Sequence, residues 1–259
     1  MLARANVWSS VGGLAGPLVL SAVALSAAWW LGSLVPIPLL VVLIFILPAS
    51  PARDRTSSGD DGGSPLPRPY WMSWLILSLS VGAEFSFVVW GSQVVVARSG
   101  ISDVQATRLA SLFVLGMVAG RLAVSAGLGH GSRSLPVLRG CAALAMVGAV
   151  VTLLATGAEL AGLGLLLGGL GISAIYPLSA SLALAHAPGV PVRASARLTA
   201  ASGSAILVVP LGLGLVAGAV GVEGAWLIVL GLLAAGLLLA LRIPPPLAPV
   251  EAIEVPAAV

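Results

Sequence analysis

The run YWMSWLILSLSVGAEFSFVVWGSQVVVA (residues 70–97) is long enough to cross a bilayer and carries one charge, Glu84. A helix crossing about 30 Å of hydrocarbon needs roughly 20 consecutive apolar residues, because each residue advances it by about 1.5 Å. Stretches of the same kind recur on either side. They place spans at approximately 7–28, 30–47, 70–97, 106–128, 136–156, 160–186, 197–221 and 224–242. The composition agrees: 59% of the chain is hydrophobic and 8% charged, with a mean hydropathy of +1.11. Soluble domains carry about a quarter charged residues, so this chain cannot clothe itself in a polar surface. The expected fold is all-α, a polytopic bundle of about eight transmembrane helices with the lipid bilayer as its solvent.

The charges set topology rather than chemistry. All twelve positive side chains are Arg, and the absence of Lys excludes the Gly-rich loop ending in Lys that cradles nucleotide phosphates. A basic balance in a soluble protein would suggest nucleic acid. Here the arginines fall in loops and helix ends, so no nucleic-acid partner is expected. An even number of spans puts both termini on one side. With that side cytoplasmic, Arg4, Arg53, Arg55, Arg68, Arg133, Arg139, Arg193, Arg197 and Arg242 lie inside, and only Arg98 and Arg108 outside. The positive-inside rule therefore predicts a multi-pass protein of the cell membrane with cytoplasmic termini. The apolar start of the chain contains Gly16-Pro17 and runs into a second apolar segment, so it reads as a span rather than a cleaved signal. The segment 49–69 and the tail 243–259, rich in Pro with Gly, Ser or Ala, read as a flexible linker and a flexible end. Cys141 is alone and has no metal-ligand spacing around it or the two His residues; no metal or cofactor is expected.

Breakers and small residues are dense inside the spans. Gly12, Gly16, Pro17, Gly116, Gly120, Pro177 and Pro210 read as sites of close helix packing or of kinks that bend. Ser102 and Gln105 are spaced as a capping box, with Asp103 at the positive end of the helix dipole. Glu84 lies near mid-span, about 20 Å from the cytoplasmic end by helix rise. A carboxylate at that depth needs a partner or a wet cavity, so it reads as a substrate contact or proton site. Arg121 on the next helix is its natural partner, at an axial offset of roughly 9 Å by the same arithmetic. Ser80 and Gly91 share the Glu84 face and suggest a narrow polar cavity, while Gln93 points the other way, where it suits a bond to a neighbouring helix. Tyr176, before Pro177, suits an amphipathic ligand or plain packing; Ser202 and Ser204 suit a ligand or helix contacts. A Ser173–His186 hydrolase dyad is disfavoured because both residues belong to one helix, so no enzyme is expected.

The chain also repeats itself. Ser9 and Pro17 recur as Ser202 and Pro210, and each pair is followed by a Trp-bearing turn (Trp29 and Trp30; Trp226) and a last apolar helix. A six-helix period within eight helices means one full repeat preceded by the end of another, and repeated halves are usual in transporters.

These residues resemble the major facilitator superfamily. Arg4-Ala5-Asn6 with Gly12-x-x-x-Gly16-Pro17 is similar to the start of its fifth helix. Glu84 with Trp90, Ser111-Leu112-Phe113 and Gly116-x-x-x-Gly120-Arg121 resemble the seventh and eighth helices of its fucose-permease-like branch. Gly168 through Tyr176-Pro177, then Ser202-Gly203 and Pro210, resemble the tenth and eleventh. Two features depart from the family: its first four helices have no counterpart before Met1, and Gly129, His130 and Gly131 stand where an Asp normally follows the Gly-x-x-x-Gly-Arg stretch. The resemblance implies residues 1–48 as the last two helices of an N-terminal bundle and 70–242 as a six-helix C-terminal bundle. It also implies a secondary active transporter, N-terminally truncated, of a small solute such as a sugar, with a coupling proton. Glu84, Ser80, Tyr176 and Ser202 would contact substrate, and Arg121, Gly116 and Gly120 would form the gate. The missing half would come from elsewhere or from a second copy. The competing readings are a truncated, non-transporting scaffold and an exporter of another multi-helix family.

Overall fold

The computed structural model describes residues 65–124, 126 and 134–245 of this chain. All secondary structure in them is helical: α1 (Arg68–Ser99), α2 (Asp103–Ala123), α3 (Ser134–Leu154), α4 (Ala158–Ile172), α5 (Ile175–Ala185) and α6 (Pro191–Arg242). The spans expected at 7–28 and 30–47, with Gly12, Gly16 and Pro17, lie outside the described residues, as do 49–64 of the linker and 246–259 of the tail.

Five helical stretches are long and apolar enough to cross a membrane, with α4 and α5 counted as one. The longest, α6, folds back on itself. Gly221 breaks it with φ 77° and ψ 162°, a conformation that a Cβ would strain. Before the break, α6 runs alongside α1 in the same direction: Tyr70 Oη donates to Ala194 O at 2.9 Å, and Trp74 Nε1 to Arg197 O at 3.1 Å. Further along, Trp90 Nε1 donates to Pro210 O at 3.0 Å, and Arg98 pairs with Glu223 at 3.5 Å. After the break the chain returns against α3: Trp226 Nε1 donates to Ala149 O at 3.1 Å, and Arg139 Nε to Ala240 O at 2.8 Å. Arg139 thereby satisfies a carbonyl that the end of α6 leaves open. The described chain therefore makes six passes along one bundle.

Local sequence explains the element ends. The Ser102–Gln105 capping box forms as its spacing predicts, and α2 starts at Asp103, three residues before the expected span. α1 begins at Arg68 behind Pro67 with Pro69 in its first turn, so the last residues of the expected linker are helical and Leu66 is buried. Pro191 likewise opens α6 six residues early, because proline at a first helical turn removes only an N–H that has no partner there anyway. Ile243, expected in the tail, is buried. The span expected at 160–186 divides at Ser173–Ala174. Pro177 supplies no N–H to the carbonyl four residues back, and that is where the helix breaks.

Packing between passes relies on close backbone approach, which small residues allow. In α4 the glycines occupy two opposite faces. Gly164, Gly168 and Gly171 meet Thr152, Gly148 and Ala145 of α3, while Gly169 meets the backbone at Phe113 and Met117 of α2. A Cβ at Gly169 would lie 2.8 Å from Phe113 C, so α4 fits between α2 and α3 only without one. At mid-bundle, Phe87 stacks on Phe113 (centroids 4.9 Å apart) and meets Trp226 edge to face (4.8 Å), joining α1, α2 and the returning arm of α6.

Candidate functional site

Glu84 stands one helical turn before Phe87 on α1, in the middle of that helix. Arg121 lies two residues before the end of α2. α1 and α2 are joined by a tight turn at Gly100, whose φ of 64° closes α1 in the left-handed cap conformation. The two helices consequently run antiparallel, and the aromatic stack of Phe87 on Phe113 holds them in register. That register brings Arg121 Nη2 to 3.6 Å from Glu84 Oε1, with the side chains 24% and 15% exposed. The expected pair therefore forms, despite the axial offset, because the guanidinium stem is long enough to span it.

The contact is an ion pair rather than a short hydrogen bond. Charge-assisted N–H···O bonds close to about 2.7–2.9 Å, so at 3.6 Å carboxylate lone pairs stay available to another donor. On α2 Phe113 and Met117 are buried, and Gly120, beside Arg121, backs onto the Ser173 hydroxyl and Leu170.

The other residues named from sequence do not gather around this pair. Ser80 is buried, donates to Leu77 O of its own helix at 2.9 Å, and borders a space of about 10 Å³ with Ile76, Ala142, Ile175 and Leu233. Gly91 faces Leu165 of α4. The polar cavity expected along Ser80, Glu84 and Gly91 is therefore replaced by packing, because α1 has helices against both of those positions. Gln93 is exposed and contacts Ser92 of its own helix, not a neighbour. Tyr176 is half-buried and packs on the cluster of Tyr70, Leu77, Ala183 and Leu198. Ser202 donates to Thr199 O at 3.0 Å, and Ser204 to Ala200 O at 2.9 Å. Gly116 and Gly120 lie against the α4 backbone at Leu166 and Leu170. Pro210 is buried where Trp90 reaches it. Ser173 and His186 flank opposite ends of α5.

Reading the sequence missed a second feature. Trp71, Trp74 and Arg197 meet at the end of the bundle where α1 and α6 begin, with Arg197 Cζ 5.2 Å above the Trp71 ring. The available signal was a Trp pair one turn apart just after Arg68, the pattern of a membrane-interface anchor. Nothing in the sequence pairs it with a residue more than a hundred positions later.

Charge is unevenly shared between the bundle's two ends. Among the described residues, Arg68, Arg139, Arg193, Arg197 and Arg242 stand at one end with no carboxylate. The opposite end holds Arg98 and Arg108 with Asp103, Glu159 and Glu223. In comparisons with known proteins, no family model matches the chain and no curated protein matches its sequence.

Proposed function

We propose that this chain is part of a secondary carrier that moves a small polar solute across a membrane by alternating access, in the manner of the major facilitator superfamily that its sequence resembles. The observation that carries this reading is the Glu84–Arg121 pair, an acid and a base from adjacent helices held 3.6 Å apart within an apolar bundle. Ionisable groups inside a membrane are costly and mark substrate or ion paths more often than structural positions. A loose pair is suited to exchange: a proton or solute takes the carboxylate, the guanidinium is released, and the α1–α2 contact changes. Repeated six-helix units are the usual frame for such exchange. Arg121, near the end of α2, then acts at a gate, and Glu84 acts deeper, as the binding or coupling group. The arginine-rich end faces the cytoplasm in this reading, following the positive-inside rule.

The test is uptake by proteoliposomes containing only the 259-residue chain. Sugars and other small polar solutes are offered with and without an imposed proton gradient, beside Glu84→Gln. Gradient-driven uptake abolished by that substitution supports the proposal. Folded protein that takes up none of the panel, alone or supplied with a four-helix upstream segment, overturns it and leaves a non-transporting membrane scaffold.

A further inference from the structure

A cavity of about 480 Å³ lies apart from the ion pair, between α1 and the two arms of α6. Trp71 and Arg197 mark its mouth, at the arginine-rich end; Leu79, Val208, Val209 and Leu232 line its depth. From Arg197 to Val209 the groove follows α6 for about 18 Å by helix rise. Val208 is 62% exposed and Trp71 40%, so the groove is open along its side.

Its polar groups are almost all committed. Trp74 Nε1 donates to Arg197 O at 3.1 Å, Ser78 Oγ to Trp74 O at 2.8 Å, and Ser204 Oγ to Ala200 O at 2.9 Å. What remains is the indole N–H of Trp71 and one guanidinium, stacked on Trp71 and paired with no carboxylate of the described residues. A polyhydroxylated solute finds a single neutral donor, the Trp71 indole N–H at the mouth, and none along the apolar depth of the groove. A cationic headgroup finds no acid, and Arg197 already covers the Trp71 face. A wholly apolar guest would leave the charge at the mouth unused. The groove therefore presents one fixed positive charge at the level of a membrane surface, above an apolar trough running into the membrane.

We propose that this groove binds an anionic phospholipid, with its phosphate on Arg197 and one acyl chain laid along Leu79, Val208, Val209 and Leu232. Basic side chains at the membrane surface attract anionic lipids, and Trp rings favour that same level. The lipid would lie across the joint between α1 and α6, touching both helices. Binding is independent of whether the chain transports anything, so uptake experiments and lipid experiments fail separately.

The test is quenching of tryptophan fluorescence by lipids with brominated acyl chains, in vesicles of phosphatidylglycerol or of phosphatidylcholine with identical chains. A single arginine at the surface corresponds to a preference of about fivefold for the anionic headgroup. That preference is expected for the wild type, is lost in Arg197→Gln, and persists in Arg197→Lys and Arg242→Gln. Ser204→Phe, which fills the groove from its exposed side, is expected to reduce quenching by both lipids. Equal quenching by the two lipids in the wild type overturns the proposal without any variant. So does a preference that survives Arg197→Gln, or quenching that Ser204→Phe leaves unchanged.

Discussion

Separating Glu84 from Arg121 is the perturbation whose cost follows most directly from the structure. Two unit charges about 4 Å apart attract by about 4 kcal/mol at an effective dielectric constant near 20. With the Arg121 side chain 24% exposed and that of Glu84 15%, solvent screens part of this. A coupling of about 2 kcal/mol remains, within the range of roughly 0.5–3 kcal/mol for contacting residues. The single substitutions should not cost the same. Arg121→Met strands a carboxylate at mid-helix, largely buried and without its counter-charge, and is expected to cost about 3 kcal/mol. Glu84→Gln leaves an arginine two residues from the end of α2, able to turn its head toward the membrane surface, at about 1 kcal/mol. The double variant should lose about 2 kcal/mol rather than the sum. The assay is equilibrium unfolding of the four proteins in mixed micelles of a mild detergent and dodecyl sulfate. Additivity within about 0.5 kcal/mol, or a Glu84→Gln costlier than Arg121→Met, would refute the reasoning.

The same unfolding assay checks the packing. Gly169→Ala drives a Cβ against the Phe113 carbonyl and is expected to cost about 1–3 kcal/mol, whereas Gly140→Ala, with open space beside it, is neutral or stabilising; equal effects would contradict the close α2–α4 approach. Trp226→Phe removes the bond to Ala149 O and part of a fully buried ring, for about 1–3 kcal/mol; a neutral result would mean that the returning arm of α6 does not sit on α3. Ser102→Ala opens a cap whose bonds are long, 3.4 Å in each direction, and should cost only about 0.5–1 kcal/mol, with faster amide exchange confined to the first turn of α2. Loss of protection along the whole helix would show that the cap does more than close its first turn.

Most of the helical architecture is legible in the sequence because lipid leaves few options. Long uncharged runs read as helices, whereas the break before Pro177 falls inside a run that reads as one span. The pairing of Glu84 with Arg121 is legible as well, since two charges on successive apolar helices have few other partners. The polar residues are less legible, for a physical reason. A hydroxyl within an apolar span attracts attention as a site, yet serine can always donate to a carbonyl of the preceding turn. Ser80, Ser202 and Ser204 each do so, and counting residues on a face cannot reveal it. The groove at Trp71 and Arg197 is illegible for the opposite reason. Its parts are individually ordinary, and only the fold brings them together.

The glycines of α2 also take their meaning from what packs against them. Gly116 and Gly120 read from sequence as sites of close packing and, by the resemblance, as parts of a gate; here they are points of backbone contact with α4, and α4 is seated equally closely on α3. Such seams resist sliding. Backbone atoms in contact cannot be relieved by a rotamer change, and a packed interface moves between discrete arrangements rather than continuously. The contacts between α1 and the first arm of α6 are of another kind: side-chain tips on backbone, with Trp90 on Pro210 and Gly214, and Val209 against Gly82. Pro210 also removes one rung from the hydrogen-bond ladder of that arm. Any motion within this bundle should therefore leave α2, α3 and α4 together as one body and open along α1 and α6. That seam contains the lipid groove, and Glu84 projects from its α1 side toward the rigid body, where Arg121 holds it. A ligand that breaks the ion pair and a lipid that fills the groove would then act on the same hinge from opposite faces of α1.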